Sequence, residues 1–172
     1  MSETTQQGEA LRKAFLDGMS RAASSVTVVT TDGPAGRAGV TVSAMTSVSA
    51  DGEEPTMLTC LNAASSVLPL VLENGCFCIN VLQSAQTAIS DIFSSRSPAP
   101  GGDKFTAVEI FTDATGAPCL TQALVSFDCK LLSAERIGTH HICIGAVKAV
   151  HVAPDGEPLL YGMRRYLRAV AH

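Results

Sequence analysis

Hydrophobic and polar positions change period several times along this chain, and each change marks an element. From Glu9 to Ala22, the residues Ala10, Leu11, Ala14, Phe15, Gly18 and Ala22 recur at helical spacing, which predicts an amphipathic opening helix. Three runs follow, V-T-V-V-T-T, A-G-V-T-V-S and T-M-L-T-C-L, and they predict strands over 26–31, 38–43 and 56–61. Val and Thr suit a pleated, half-buried surface. Ser65 to Asn74 reads as a helix that tolerates Pro69 in its first turn and is closed by Gly75. Cys76 to Leu82 is then a strand and Ser84 to Phe93 a helix. Ser94 to Asp103 is a loop by its Pro and Gly content. Val125, Phe127, Cys129 and Leu131 alternate with Ser126, Asp128 and Lys130, as in a half-buried strand. His140 to Val152 is long and β-rich, and Pro154-Asp155-Gly156 turns the chain back toward Leu159.

Short strands at close spacing with few helices predict a mainly β fold, a closed or nearly closed antiparallel barrel. A doubly wound sheet is excluded because helices do not alternate with strands. Gly33-Pro34-Ala35-Gly36-Arg37-Ala38-Gly39 looks like a dinucleotide loop, but its spacing is G-x-x-G-x-x-G and a strand follows it. It is a hairpin connection, so a nicotinamide nucleotide would have no domain of its own. With 172 residues, no internal repeat and no boundary, residues 1–172 read as one domain.

Composition narrows the partners. Charged residues are only 16% against 46% hydrophobic, which predicts apolar surface buried between subunits. A net charge of −4 argues against nucleic acid or an anionic membrane. The polar start, Met1 to Glu9, does not read as a signal peptide, and no apolar run reaches the roughly 20 residues of a membrane span, so a cytoplasmic protein is expected. Cys60, Cys76, Cys78, Cys119, Cys129 and Cys143 lack paired zinc spacing and read as buried thiols, with no metal site expected.

Candidate chemistry concentrates between residues 26 and 66. Thr and Ser cluster at strand ends and supply hydroxyls and approachable backbone N–H groups without charge. The helix start at Ser65-Ser66 adds unpaired N–H groups and a positive dipole end suited to phosphate. A flat, phosphorylated ligand fits this pattern, and a flavin nucleotide is the obvious one.

The order of these segments resembles the flavin reductase family, the small reductases of two-component flavin monooxygenases. The landmarks are Val29-Thr30-Thr31, Gly39 to Ser49, Asn62 to Ser66, Asp103-Lys104-Phe105, Pro118-Cys119-Leu120 leading to Cys129, Gly138-Thr139-His140 with Gly145, and Pro158 to Tyr161 with Tyr166. They span about 15–166. The resemblance implies a split β-barrel of the Greek-key, FMN-binding type with a few short flanking helices, and a homodimer with flavin near the subunit interface. It places Thr30, Thr31, Thr41, Val42, Ser43, Ala44, Ser47, Val48, Ser49, Cys60, Asn62, Ser65, Ser66, Phe93, Lys104, Phe105 and Tyr166 at the flavin. Lys104 would neutralise a phosphate, and amides around Ser47 to Ser49 would stabilise charge on the reduced ring. The family has G-D-H with a glycine five residues after the histidine. Counting back from Gly145 selects His140 over His141 as the residue beside the nicotinamide, with Thr139 in place of the aspartate.

The expected activity is hydride transfer from NADH or NADPH to FMN or FAD, with reduced flavin passed to a partner monooxygenase. Two alternatives stand beside it: a flavoprotein delivering single electrons to a cobalt corrinoid, and a flavin-binding module without turnover. Side-chain nucleophiles are not required, since a flavin carries the redox chemistry and the protein binds and orients.

Overall fold

The structure is a computed structural model and describes residues 3–170. Its main sheet has seven strands, all antiparallel to their neighbours: β2 (Thr27–Thr31), β3 (Ala38–Val42), β4 (Met45–Ser49), β5 (Thr56–Asn62), β6 (Cys76–Val81), β9 (Val125–Ile137) and β10 (His140–Val152). They lie in the order β3-β2-β6-β9-β10-β5-β4. A smaller sheet joins β1 (Ser24–Ser25), β11 (Leu159–Gly162) and β12 (Arg165–Arg168), and β7 (Ile110–Phe111) pairs with β8 (Cys119–Leu120). The helices are α1 (Glu3–Arg21), α2 (Val67–Asn74) and α3 (Thr87–Phe93), with two short 3₁₀ turns between α3 and β7. The fold is mainly β, as the periodicity predicts.

The edges of the main sheet decide where a ligand can enter. β3 and β4 lie at opposite edges, yet only Ser43-Ala44 separates them in sequence. The chain therefore crosses directly from one edge to the other. Thr27 Oγ1 donates to the Val42 carbonyl at 3.1 Å on the near side. On the far side the Ala44 carbonyl accepts from the Cys60 N–H and from Thr59 Oγ1, both at 3.1 Å. Among the described residues no strand ladder joins β3 to β4, so the main sheet is open, which removes the closed form of the closed or nearly closed barrel expected.

Packing on the two faces follows the strand alternation. Val29, Leu61, Val71, Phe77, Ile79, Cys129 and Cys143 form one core, roofed by α2. Val28, Leu82, Phe93, Phe105 and Leu159 form the other, against α3. Every residue of β2 and β6 is buried, as expected of central strands covered on both faces. Gly145 lets the first core close: a Cβ there would stand 2.6 Å from the Phe77 ring and 2.8 Å from the Cys129 Cβ.

Several boundaries differ from the periodicity. α1 begins at Glu3 rather than Glu9. α3 begins at Thr87 rather than Ser84, because the Ser84 N–H bonds the Glu157 carbonyl and Gln83 bridges to Pro158. Residues 45–49 form a separate strand after a bend at Ser43, where the pattern showed only one run ending at Ser43. β9 and β10 each run 13 residues and turn at Gly138, whose φ of 59° suits glycine.

Candidate nucleotide site

Where β3 diverges from β5, an open cleft of about 270 Å³ is lined by Val40, Thr41, Val42, Ser43, Ala44, Cys60, Leu61, Asn62, Ser65 and His140. Val40 and Val42 supply apolar surface, and the rim carries the hydroxyls of Ser43 and Ser65, the Asn62 amide and the His140 imidazole. The Ser43 and Ala44 amides donate to no partner among the described residues, so the crossing presents backbone N–H groups to whatever the cleft holds. Apolar surface with a few convergent polar groups is the usual make-up of a small-molecule site. A flat heteroaromatic ring with polar edges fits this set.

Each rim residue is positioned by its element. Asn62 ends β5, and its side-chain carbonyl accepts from the Ala64 N–H at 2.8 Å while its backbone carbonyl accepts from the Ser65 N–H at 2.9 Å. This tight turn delivers Ser65 to the cleft and starts α2. Ser65 Oγ then accepts from the Val67 N–H at 3.3 Å, so the first amide of α2 is partly satisfied inside the chain. Ser66 is the N-cap, is exposed, makes no side-chain cap bond and does not line the cleft. At the start of β10, His140 lies directly opposite Asn62, with its Nδ1 3.0 Å from Thr139 Oγ1. His141 lies opposite buried Leu61, and its own Nδ1 is buried without a partner. Strand register therefore puts His140 on the cleft wall and turns His141 to the opposite face.

A second hollow of about 150 Å³ lies across the same stretch of β3, lined by Val26, Thr41, Val42, Ser43, Ser90, Ser94, Arg96, Tyr161 and Tyr166. Tyr166 belongs here rather than in the first cleft. Its hydroxyl donates to Asp91 Oδ1 at 2.6 Å and accepts from Ser90 Oγ at 3.0 Å. Burial, reinforced by the Asp91 carboxylate, pushes the phenol up from its ordinary value. Thr41 Oγ1 donates to the Ser90 carbonyl at 2.8 Å and fixes β3 to α3 between the two hollows.

Several expected contact residues are drawn into the core instead. Thr30 is fully buried, donating to the Pro118 carbonyl and accepting from Asn80. Thr31 is equally buried, bonding the Cys76 carbonyl at 2.8 Å and accepting from Asn74. Phe93 and Phe105 pack edge to face with centroids 5.3 Å apart, and Phe93 lies against Gly39. Lys104 donates to the Phe93 carbonyl at 2.8 Å at the end of α3, burial lowers its pKa, and it lines neither hollow. Ser47, Val48 and Ser49 lie on the exposed edge strand outside both hollows, with a bulge between Ser47 and Ser49. Sequence reasoning missed Ser90, Ser94, Arg96 and Tyr161. Tyr166 and the loop reading of Ser94 to Asp103 point to that side, but nothing in the local pattern ties the loop to β3.

The family model of the flavin reductase like domain matches residues 19–169. A relative from Stutzerimonas stutzeri, named FMN reductase (NADH) RutF, is 41% identical over 166 residues, covering 95% of this chain and 93% of its own. Among solved structures, the NADH:FAD oxidoreductase SgcE6 of Streptomyces globisporus superposes with a TM-score of 0.83 at 26% identity, covering 94% of each chain. BorF, the flavin reductase component of a bacterial two-component tryptophan halogenase, gives 0.81 at 26% identity and covers 94% of this chain and 99% of its own. On a match across nearly its whole length, this chain belongs to the flavin reductase like domain family.

Proposed function

We propose that this protein is an NADH-dependent FMN reductase, and that the cleft at the Ser43-Ala44 crossing is where flavin and nicotinamide meet. The observation that carries this reading is the cleft itself: apolar surface, a rim of hydroxyl, amide and imidazole groups, and two backbone amides without partners among the described residues. Membership of the family and the names of relatives such as FMN reductase (NADH) RutF support it. When bound, the flavin supplies the hydride acceptor. Val40 and Val42 would exclude water from a bound ring, and the amides of Ser43 and Ala44 would stabilise negative charge at its polar edge. His140, steadied by Thr139, is placed to hold the nicotinamide over the ring from the open side.

FAD is a second flavin for the same cleft, since a structural relative is named for it. The two-residue crossing between the sheet edges supports a fold of split-barrel type in one domain. Reduced flavin would pass to a partner oxygenase or halogenase, and BorF is itself the reductase component of a two-component halogenase. A homodimer would cover the apolar side chains left exposed on α1 and on the β9–β10 hairpin, among them Leu11, Phe15, Leu132 and Ile137. A cytoplasmic setting agrees with six free thiols. Steady-state NADH oxidation with FMN, FAD and riboflavin as acceptors tests the activity. Turnover with FMN is expected, and oxidation with none of the three would leave a binding module.

A further inference from the structure

The two hollows on either side of Thr41 to Ser43 carry very different charge. Among their lining residues, Arg96 is the one with a permanent positive charge. We propose that Arg96 is the phosphate anchor of this site, binding the phosphate ester of a nucleotide that lies across the β3 crossing. The proposal rests on the reductase reading and adds a specificity-determining residue to it.

Three observations support it. First, Arg96 is held in place by its backbone. The Asp91 carbonyl accepts both the Arg96 N–H at 2.9 Å and the Ser97 N–H at 3.1 Å, and Ser95 takes a φ of 61°, rare for a residue other than glycine. A turn this constrained at the end of α3 aims one side chain at the hollow. Second, the guanidinium is not spent. Asp91 Oδ1 is 3.8 Å away, beyond hydrogen-bond distance, and already accepts from Tyr166 at 2.6 Å. The Tyr161 ring lies 5.5 Å from the guanidinium carbon, and its hydroxyl favours the charged form. The Arg96 side chain is 55% exposed, so beyond the Asp91 ion pair and Tyr161 its planar fork stays accessible to a phosphate. Third, the other phosphate candidates are weak. Lys104 lines neither hollow and donates to the Phe93 carbonyl, Ser66 lines neither, and Ser65 can donate its hydroxyl but carries no charge. Around Arg96, Ser43 and Ser94 add hydroxyls that can complete a phosphate shell.

FMN and NADH both carry phosphate, and riboflavin carries none, so substrate pairs separate the sources. In Arg96→Ala, KM for FMN should rise on the order of tenfold or more while KM for riboflavin stays within about twofold, the scale of one lost charge-assisted hydrogen bond. Added salt should raise KM for FMN in the wild type and much less in the variant. Arg96→Lys should recover part of the loss, and Arg96→Gln guards against a folding defect in the alanine variant. With riboflavin as acceptor, a rise confined to NADH would assign the phosphate to the nicotinamide nucleotide and still support the anchor. Equal rises for FMN and riboflavin with NADH unmoved, or no change at all, would overturn it. If the wild type oxidises no NADH with any flavin, the reductase reading fails. Equilibrium binding of FMN against riboflavin then still decides the role of Arg96.

Discussion

Asn80 shows how much of this fold depends on single polar side chains. It is fully buried on β6, and its amide donates to the Val28 carbonyl and to Thr30 Oγ1, each at 3.1 Å. Its carbonyl accepts from the Leu120 N–H and from Ser126 Oγ, each at 2.8 Å. Replacing it with Leu would leave several of these groups unsatisfied, so Asn80→Leu should cost about 2–4 kcal/mol in a denaturant titration. The same network explains why Thr30 and Thr31 mislead in sequence. A threonine that closes a buried network and one that meets a ligand occupy the same β-branched pattern, and only the partner strands distinguish them. His140 is legible only through the family resemblance, which sets it five residues before Gly145, and the structure places it on the cleft wall. His140→Ala should raise KM for NADH severalfold and leave flavin affinity nearly unchanged in a binding titration. His141→Ala, on the opposite face, should change stability instead. The reverse result would place the nicotinamide on the other face of β10.

At the level of elements, the strands of the main sheet with β-rich runs are the ones the sequence announces. β2, β5, β6 and β10 fall within a residue or two of their apolar runs. β4 was hidden because Met45 to Ser49 continues the Val-Thr-Ser pattern of β3, and the bend at Ser43 comes with no Gly or Pro to mark it. β7 and β8, of two residues each, are too short for any period to show. Gly145 tests the close approach of β10 to β6 and β9. Gly145→Ala pushes a methyl into Phe77 and Cys129, so the melting temperature should fall by the equivalent of about 1–3 kcal/mol. The start of α2 can be tested separately. Ser65→Ala combined with Ser66→Ala should weaken flavin binding by about 1–3 kcal/mol if the Asn62–Ser65 turn touches the ligand, with thermal stability measured alongside because the Val67 amide loses its acceptor. Unchanged flavin affinity in a folded double variant would remove this turn from the site.

Across the whole molecule, the low charge content and the six thiols have physical consequences. Burial pushes Cys129 up to about 12 and Cys143 up to about 11. Both values lie above those of an unfolded thiol, so the folded state holds protons that the unfolded state releases. The stability these thiols contribute is complete below about pH 8.5 and is lost as pH rises through 11 to 12. Melting temperature should therefore decline steeply across that alkaline window, and thiol reagents at neutral pH should modify Cys60 well before the five buried cysteines. Turnover at the β3 crossing is tested most directly by anaerobic mixing of the protein with FMN and NADH while the visible flavin band is followed. A reductase bleaches the band with one FMN reduced for each NADH consumed, at a rate proportional to protein, and that is the expected result. A band that stays oxidised while the protein still binds FMN would contradict it.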